Sequence, residues 1–379
     1  MQLKAFPTAL SLARVTGRTL VLPPFEYYEN QAQVFTNQFR QSASGKRPLF
    51  LPWSELFDLE RLRIGADVVD FHETPLTTID VGVLQTGDAN TKFGNREAAL
   101  EAKTRASLSG VMHETPCRVR RDGLQANLTM LAAPSADEVA RPTAVDLYGK
   151  RLELGRFVCG SIGLHHSEQV QALAAWYGNA RVAAVFNVGQ HIHTKVGSAA
   201  HQREMEVLSQ YLRPNARCDG EAARFVRDNR MRIGNGAAGP ATAAASELRF
   251  VAVHWRHGDY VAYKHVQPAE KVAARVTKVL DELKCEGRCR VFLMTNCRNE
   301  SDLAALASAL PGEVAPLRYG SRSMSDASFA HEGRRLIIEA AIASRAEAFV
   351  GSPRSAVSEL VEQLRRARKL DASLKTELR

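Results

Sequence analysis

The sequence lacks the motifs that announce many enzyme classes. It contains no P-loop, no G-x-S-x-G elbow and no H-E-x-x-H pair, which sets aside P-loop nucleotide hydrolysis, α/β-hydrolase chemistry and zinc-protease chemistry. It has no D-x-D triplet, so a phosphate ligand would be met by arginine and helix dipoles rather than by a bridging metal. No run of about 18 apolar residues occurs, and no segment reads as a transmembrane helix. The opening residues show no secretory cleavage pattern, and the closing Lys-Thr-Glu-Leu-Arg holds no retention tetrapeptide. No internal repeat is visible.

What is there suits a soluble globular protein of two domains, or one large one. The 379 residues, 45% hydrophobic and 24% charged, suffice for full cores without staples. Fifty basic residues against 41 acidic give a net charge of +9, which reads as a solvated basic surface or as a complement to nucleic acid, an anionic membrane or a phosphate-bearing ligand. No basic run is interleaved with aromatics, which speaks against nucleic acid. There are six cysteines, Cys117, Cys159, Cys218, Cys285, Cys289 and Cys297. The last three loosely suggest a zinc site but lack a C-x-x-C pair or a spaced histidine partner. Disulfides and buried thiols remain the alternatives. Sequons stand at Asn127 and Asn299.

Hydrophobic periodicity predicts an opening helix over Leu3 to Val15, with Leu3, Phe6, Leu10 and Leu12 near one face, and then a strand at Thr19 to Leu22. Strands are expected at Arg156 to Ile162 and Arg181 to Val188, with helices at Ala199 to Tyr211 and Glu221 to Asn229. A Gly/Ala-rich stretch at 234–247 reads as a linker. It matches G-x-G-x-x-G, but its glycines precede a strand and run into Pro240, so it does not form a dinucleotide loop. This argues against an NAD-dependent Rossmann enzyme. Beyond it the alternation is regular: strands at Arg249 to His254, Arg290 to Thr295, Val314 to Tyr319 and Ala348 to Gly351. Helices are expected at Ala269 to Leu283, Leu303 to Leu310, Gly333 to Ser344 and Ser355 to Arg368. Such βα alternation predicts a parallel, doubly wound sheet, whose ligands sit beyond the carboxyl ends of the strands.

The polar residues just past those strands are the candidates. His254-Trp255-Arg256-His257-Gly258-Asp259-Tyr260 follows the first strand, and alternation puts His254 and Arg256 on one side. The forked guanidinium of Arg256 suits a diphosphate and the charge of a leaving nucleotide, or else a surface ion pair. Past the last strand, Gly351 to Ser358 is a small, hydroxyl-rich loop opening a helix. It reads as a phosphate cradle or as a helix start capped by Ser352 or Ser355. Glu339 and Glu347 could accept hydrogen bonds from a base or ribose. His165, His166, His191 and His193 read as packed or surface histidines rather than metal ligands.

Three pieces in order carry a resemblance. H-x-R-x-G-D at His254 to Asp259 after a V-A-V strand, the terminal IASRAEAFVGSPRSAVS at Ile342 to Ser358, and the opening LARVTGRTLVLPPFEYY together resemble the GDP-fucose protein O-fucosyltransferases. VFTN at Val34 to Asn37 is similar to the type that modifies EGF repeats. Residues from about Leu62 to Gly160 match no motif. The resemblance implies an α/β, GT-B-like fold of two Rossmann-like lobes, with the nucleotide-sugar site in the cleft. The expected division is an acceptor-side lobe at 1–233, the linker at 234–247 and a donor-binding lobe at 248–379. It implies inverting transfer of fucose from GDP-fucose to a Ser or Thr hydroxyl of a folded, disulfide-rich domain such as an EGF-like repeat, in the lumen of the endoplasmic reticulum or Golgi, with no cofactor or metal required. Arg256 would grip the β-phosphate and help GDP leave, and His254 would contact the nucleoside. Gly258 and Asp259 complete the motif, Glu339 stands where the family usually has Asp, and Ser355 would bind phosphate, followed by Ala356. Gly351 would let the loop approach closely.

Three departures accompany the resemblance. Met1 stands where the family's G-x-x-x-N-Q loop has an asparagine, so the chain reads as N-terminally truncated. Trp255 replaces a small aliphatic residue, and Ala356 or Val357 stands where an aromatic is expected. The rivals are a thrombospondin-type repeat or a glycan as acceptor, and a non-catalytic GDP-sugar-binding protein.

Overall fold

The computed structural model describes residues 6, 9–10, 13–14, 16–26, 50–85, 128–130, 142–147, 150–160, 180–186, 206–207, 210–229, 248–257, 260–261, 265–285, 289–311, 316–320, 329–353, 355–368 and 375–377. The chain divides into two compact units. The first takes residues 1–26, 33–52 and 66–206, and the second takes 27–32, 53–65 and 207–379.

In the first unit the opening helical residues bury Phe6, Leu10 and Ala13, the i, i+4, i+7 spacing of an amphipathic helix. Leu3 and Leu12 of the expected face lie outside the described residues. Strand β1 (Leu20–Leu22) pairs in parallel with β4 (Val68–Asp70), and β2 (Phe25–Glu26) antiparallel with β3 (Phe50–Leu51). A five-stranded sheet has the order β6-β7-β8-β5-β9, from β5 (Thr78–Gln85), β6 (Leu128–Met130), β7 (Pro142–Leu147), β8 (Lys150–Gly160) and β9 (Ala183–Phe186). Strands β8, β5 and β9 run parallel, while β6, β7 and β8 form an antiparallel meander. The strands expected at Arg156 and Arg181 are thus β8 and β9, whereas β5, β6 and β7 fall in a stretch that offered no motif.

The second unit gathers helix α1 (Leu59–Gly65) and α2 (Ala216–Asp228) with the C-terminal elements. Residues 207–229, which the sequence reading puts in the N-terminal lobe, group here because α2 packs into this core. Phe225 meets Phe292 and Tyr319 edge-on, at ring centroids 5.7 and 5.5 Å apart. The Gly/Ala stretch at 234–247 lies outside the described residues.

Here β10 (Arg249–Trp255), β11 (Cys289–Thr295), β12 (Ala348–Gly351) and β13 (Lys375–Glu377) form an all-parallel sheet in the order β11-β10-β12-β13. Of the strand expected at Val314 to Tyr319, the described residues 316–319 contribute one parallel bridge, Leu317 beside Phe292 at the outer edge of β11. The chain's progress across the sheet therefore reverses between β10 and β12, which makes the gap beyond their carboxyl ends a topological switch point. Every residue of β10 after Arg249 is buried, as a central parallel strand covered on both faces must be. Val251, Val253 and Trp255 pack with Val272, Val276 and Val279 of α3 (Ala269–Glu282) and Leu306 of α4 (Glu300–Ala309). The alternate residues Phe250, Ala252 and His254 take the opposite face. Helices α5 (Phe329–Ser344) and α6 (Ala356–Ala367) lead into and out of β12.

Candidate functional site

The switch point joins two segments. From β10, His254 is 6% exposed, and Arg256 lies just past the strand with its guanidinium over the Tyr260 ring, 4.4 Å from the centroid, a cation–π contact that steadies the charged group. From the other side, Ser352 just past β12 and Ser358 in the first turn of α6 reach across. The Ser352 hydroxyl donates to the His254 carbonyl at 2.7 Å and accepts the Arg256 N–H at 2.9 Å. Ser358 Oγ lies 2.8 Å from His254 Nδ1 and accepts the Ser352 N–H at 3.0 Å. The Tyr260 hydroxyl donates to the Pro353 carbonyl at 2.8 Å. His254, Arg256, Gly351 and Ser355, four of the residues expected from sequence, thus belong to the adjoining carboxyl ends of β10 and β12.

Ser355 occupies the N-cap position of α6 with extended backbone, yet its side chain makes no capping hydrogen bond. It is 1% exposed, and its Oγ has no partner. A buried hydroxyl left unsatisfied costs about 1 to 3 kcal/mol, so its place at a helix N-terminus, among free amides, is one that an anion would complete. Ala356 opens the helix and is half-buried. Gly351 has an ordinary backbone, but an added Cβ would lie 3.1 Å from Ser358 Oγ and 3.2 Å from Ser358 Cβ. What Gly351 permits is close approach of β12 to the first turn of α6.

Glu339, on α5, is buried and receives the Arg335 Nε–H at 3.1 Å. Burial pushes its carboxyl up to about 7, against the pull of Arg335 and Arg318. Glu347 belongs elsewhere. It forms a forked pair with Arg249, 2.5 and 2.6 Å, at the amino ends of β10 and β12, away from the edge where ligands of such a sheet bind. Trp255 faces the α3 core and donates to the Gln267 carbonyl at 3.0 Å, so that departure is one of packing. The loose zinc spacing does not form a site: Cys285 and Cys289 are joined as a disulfide, and Cys297 is a buried thiol. Cys297 instead approaches His257 and Asp302, with ligand atoms all within 4.8 Å, the spacing of a group that could hold a metal. In the structure these groups are engaged: His257 Nε2 lies 2.9 Å from Asp302 and the Cys297 thiol 3.5 Å from the Asn299 carbonyl. Burial raises the Cys297 thiol.

Gly258 and Asp259 lie outside the described residues, as do Met1, Val34 to Asn37, Asn127 and His165, His166, His191 and His193. Sequence reasoning missed the roles of Ser352, Ser358 and Tyr260. The recurrence of serine at 352, 355 and 358, every third residue into a helix, was the available signal.

A family model described as GDP-fucose protein O-fucosyltransferase matches residues 1–368. Among solved structures, POFUT1 in complex with GDP-fucose is similar, with a TM-score of 0.53 at 15% identity, covering 99% of this chain and 92% of that one. POFUT1 in complex with GDP gives 0.51 at 16% identity, covering 99% and 93%. The likeness shows a shared α/β, GT-B-like fold. No curated protein sequence matches this chain significantly.

Proposed function

This chain belongs to the GDP-fucose protein O-fucosyltransferase family, and from that premise we propose that it moves fucose from GDP-fucose to a Ser or Thr hydroxyl of a protein, with inversion at the anomeric carbon. The observation that carries the reading is the orphaned Ser355 hydroxyl at the N-terminus of α6, on the same edge of the sheet as Arg256. The α6 amides and the Ser355 hydroxyl would donate to the diphosphate, and Arg256 would take up the charge that develops as the bond from fucose C1 to the phosphate oxygen breaks. The electron pair leaves with GDP, and the acceptor oxygen closes on C1 from the opposite face, its proton passing to base or solvent. Because leaving-group stabilisation dominates such a dissociative displacement, the demand on a general base is small. His254 and Glu339 would contact the nucleoside, and Gly258, Asp259 and Ala356 would complete the donor contacts. No metal is required in this scheme.

The domain roles follow the same reading, with the bounds of the two compact units: the second unit, which holds 248–379 together with 53–65 and 207–229, binds donor, and the first unit receives acceptor. The proposed acceptor is an EGF-like repeat, from the resemblance at Val34 to Asn37. A lumenal location in the endoplasmic reticulum or Golgi is supported by the Cys285–Cys289 disulfide, a bond that persists in oxidising compartments.

Calorimetric titration with GDP and GDP-fucose, with NAD as control, tests the donor site. GDP binds and NAD does not; Arg256→Ala lowers turnover on an EGF-like repeat by about 100-fold or more with an unchanged melting temperature. Unchanged turnover in that variant would remove Arg256 from the mechanism, and transfer to a thrombospondin-type repeat alone would replace the acceptor.

A further inference from the structure

Two serines that are not among the expected donor contacts close a hydrogen-bonded circuit behind those contacts. Ser352 is 5% exposed and Ser358 4%. Ser352 Oγ donates to the His254 carbonyl at 2.7 Å and accepts the Arg256 N–H at 2.9 Å. Ser358 Oγ accepts the Ser352 N–H at 3.0 Å and lies 2.8 Å from His254 Nδ1. The backbone that launches Arg256, the ring of His254 and the loop that leads to Ser355 are thereby held as one body across the switch point.

We infer that Ser352 and Ser358 are positioning residues for donor recognition, and that Ser358 holds His254 as the neutral tautomer with its proton on Nε2. The inference rests on the reading of His254 and Arg256 as donor contacts. Its chemistry is a matter of counting protons. A hydroxyl has one proton to give and lone pairs to receive. Ser352 gives its proton to the His254 carbonyl, which leaves a lone pair for the Arg256 amide. Ser358 receives the Ser352 amide, and among the described residues the one acceptor within reach of its own proton is His254 Nδ1; a protonated Nδ1 would leave that buried proton without a partner. An Nδ1 that accepts places the ring proton on Nε2, so His254 acts as a hydrogen-bond donor and not as a base. The circuit is tightly seated, since a Cβ on Gly351 would meet Ser358 Oγ at 3.1 Å. A loose hydroxyl could rotate away; this one is pinned between β12 and the His254 ring.

The test uses the full chain with nitrogen-15 in its histidines, the His254 signals being assigned by their loss in His254→Gln. The expected spectrum shows an unprotonated Nδ1 and a protonated Nε2. In parallel, GDP titrations are run on wild type, Ser352→Ala, Ser352→Thr, Ser358→Ala, His254→Ala and the His254→Ala/Ser358→Ala double variant. Each alanine substitution at a serine weakens GDP binding about tenfold, the size of one lost buried hydrogen bond. Ser352→Thr restores most of the affinity, and Ser358→Ala adds nothing once His254 is alanine, as expected when one residue acts through another. A proton on Nδ1 overturns the tautomer assignment. An equal loss from Ser358→Ala in both backgrounds overturns the positioning role. If folded wild type binds no GDP, the donor reading itself falls, and the imidazole spectrum, which needs no ligand, still decides whether the circuit runs as described.

Discussion

Glu339 sits four residues after Arg335 on α5, a spacing that in a solvated helix would make an ordinary surface ion pair. Here the carboxyl is buried, and burial outweighs the arginine, raising it from 4.5 to about 7. The folded state then holds a proton that the unfolded state releases at lower pH. Stability from this group is complete below about pH 4.5 and is lost as pH rises through about 7. The shift corresponds to something on the order of 3 kcal/mol. Glu339→Gln is expected to flatten the fall between pH 5 and pH 8 in chemical denaturation. If the variant keeps the wild-type slope, another group is responsible. That the residue was polar and near the site could be read from the sequence, but its protonation could not. Neighbours brought in by folding set it, as they set the orphaned hydroxyl of Ser355, which in sequence reads as a cap or as a phosphate contact.

Among the elements, β10, β11 and β12 were legible because each is a run of buried apolar residues, Arg-Phe-Val-Ala-Val-His, Arg-Val-Phe-Leu-Met-Thr and Ala-Phe-Val-Gly, which parallel strands covered on both faces require. The meander of β6 and β7 and the short β13 carry no such run, and pairing with partners alone makes them strands. Gly351 marks the tightest junction between elements. Gly351→Ala should cost about 1 to 2 kcal/mol in thermal or urea unfolding, because Phe349 and Ser358 must yield to the new methyl group, and it should weaken GDP binding with it. An alanine variant as stable as wild type would show that the junction has room. The Cys285–Cys289 disulfide ties the residues just after α3 to the first residue of β11. Loop-closure entropy over so short a span predicts a loss of about 2 kcal/mol in Cys285→Ser/Cys289→Ser, measurable as a lower urea midpoint; no change would mean that the flanking core alone holds the two cysteine positions together.

At the scale of the whole molecule, the second unit is assembled from segments far apart in the chain. Asp219 of α2 receives Arg345 at 2.9 Å and Arg368 at 2.7 Å, from the ends of α5 and α6. Arg345 is 3% exposed, so removing its partner strands a buried charge. Asp219 is itself 40% exposed, and water screens part of the effect. Asp219→Ala is expected to destabilise by roughly 2 kcal/mol, read in a denaturant titration; a neutral result would mean that backbone carbonyls satisfy Arg345 unaided. The amino-acid sequence by itself determined the βα alternation, the small hydroxyl-rich loop and the H-x-R-x-G-D run, because propensity, periodicity and turn chemistry are local. Only the tertiary structure decided that residues 53–65 and 207–229 join the C-terminal unit, that Glu347 serves Arg249, and that Ser352 and Ser358 stand behind His254 and Arg256. Those outcomes depend on which buried polar groups meet across the sheet, and such partners are fixed by packing between residues about a hundred positions apart.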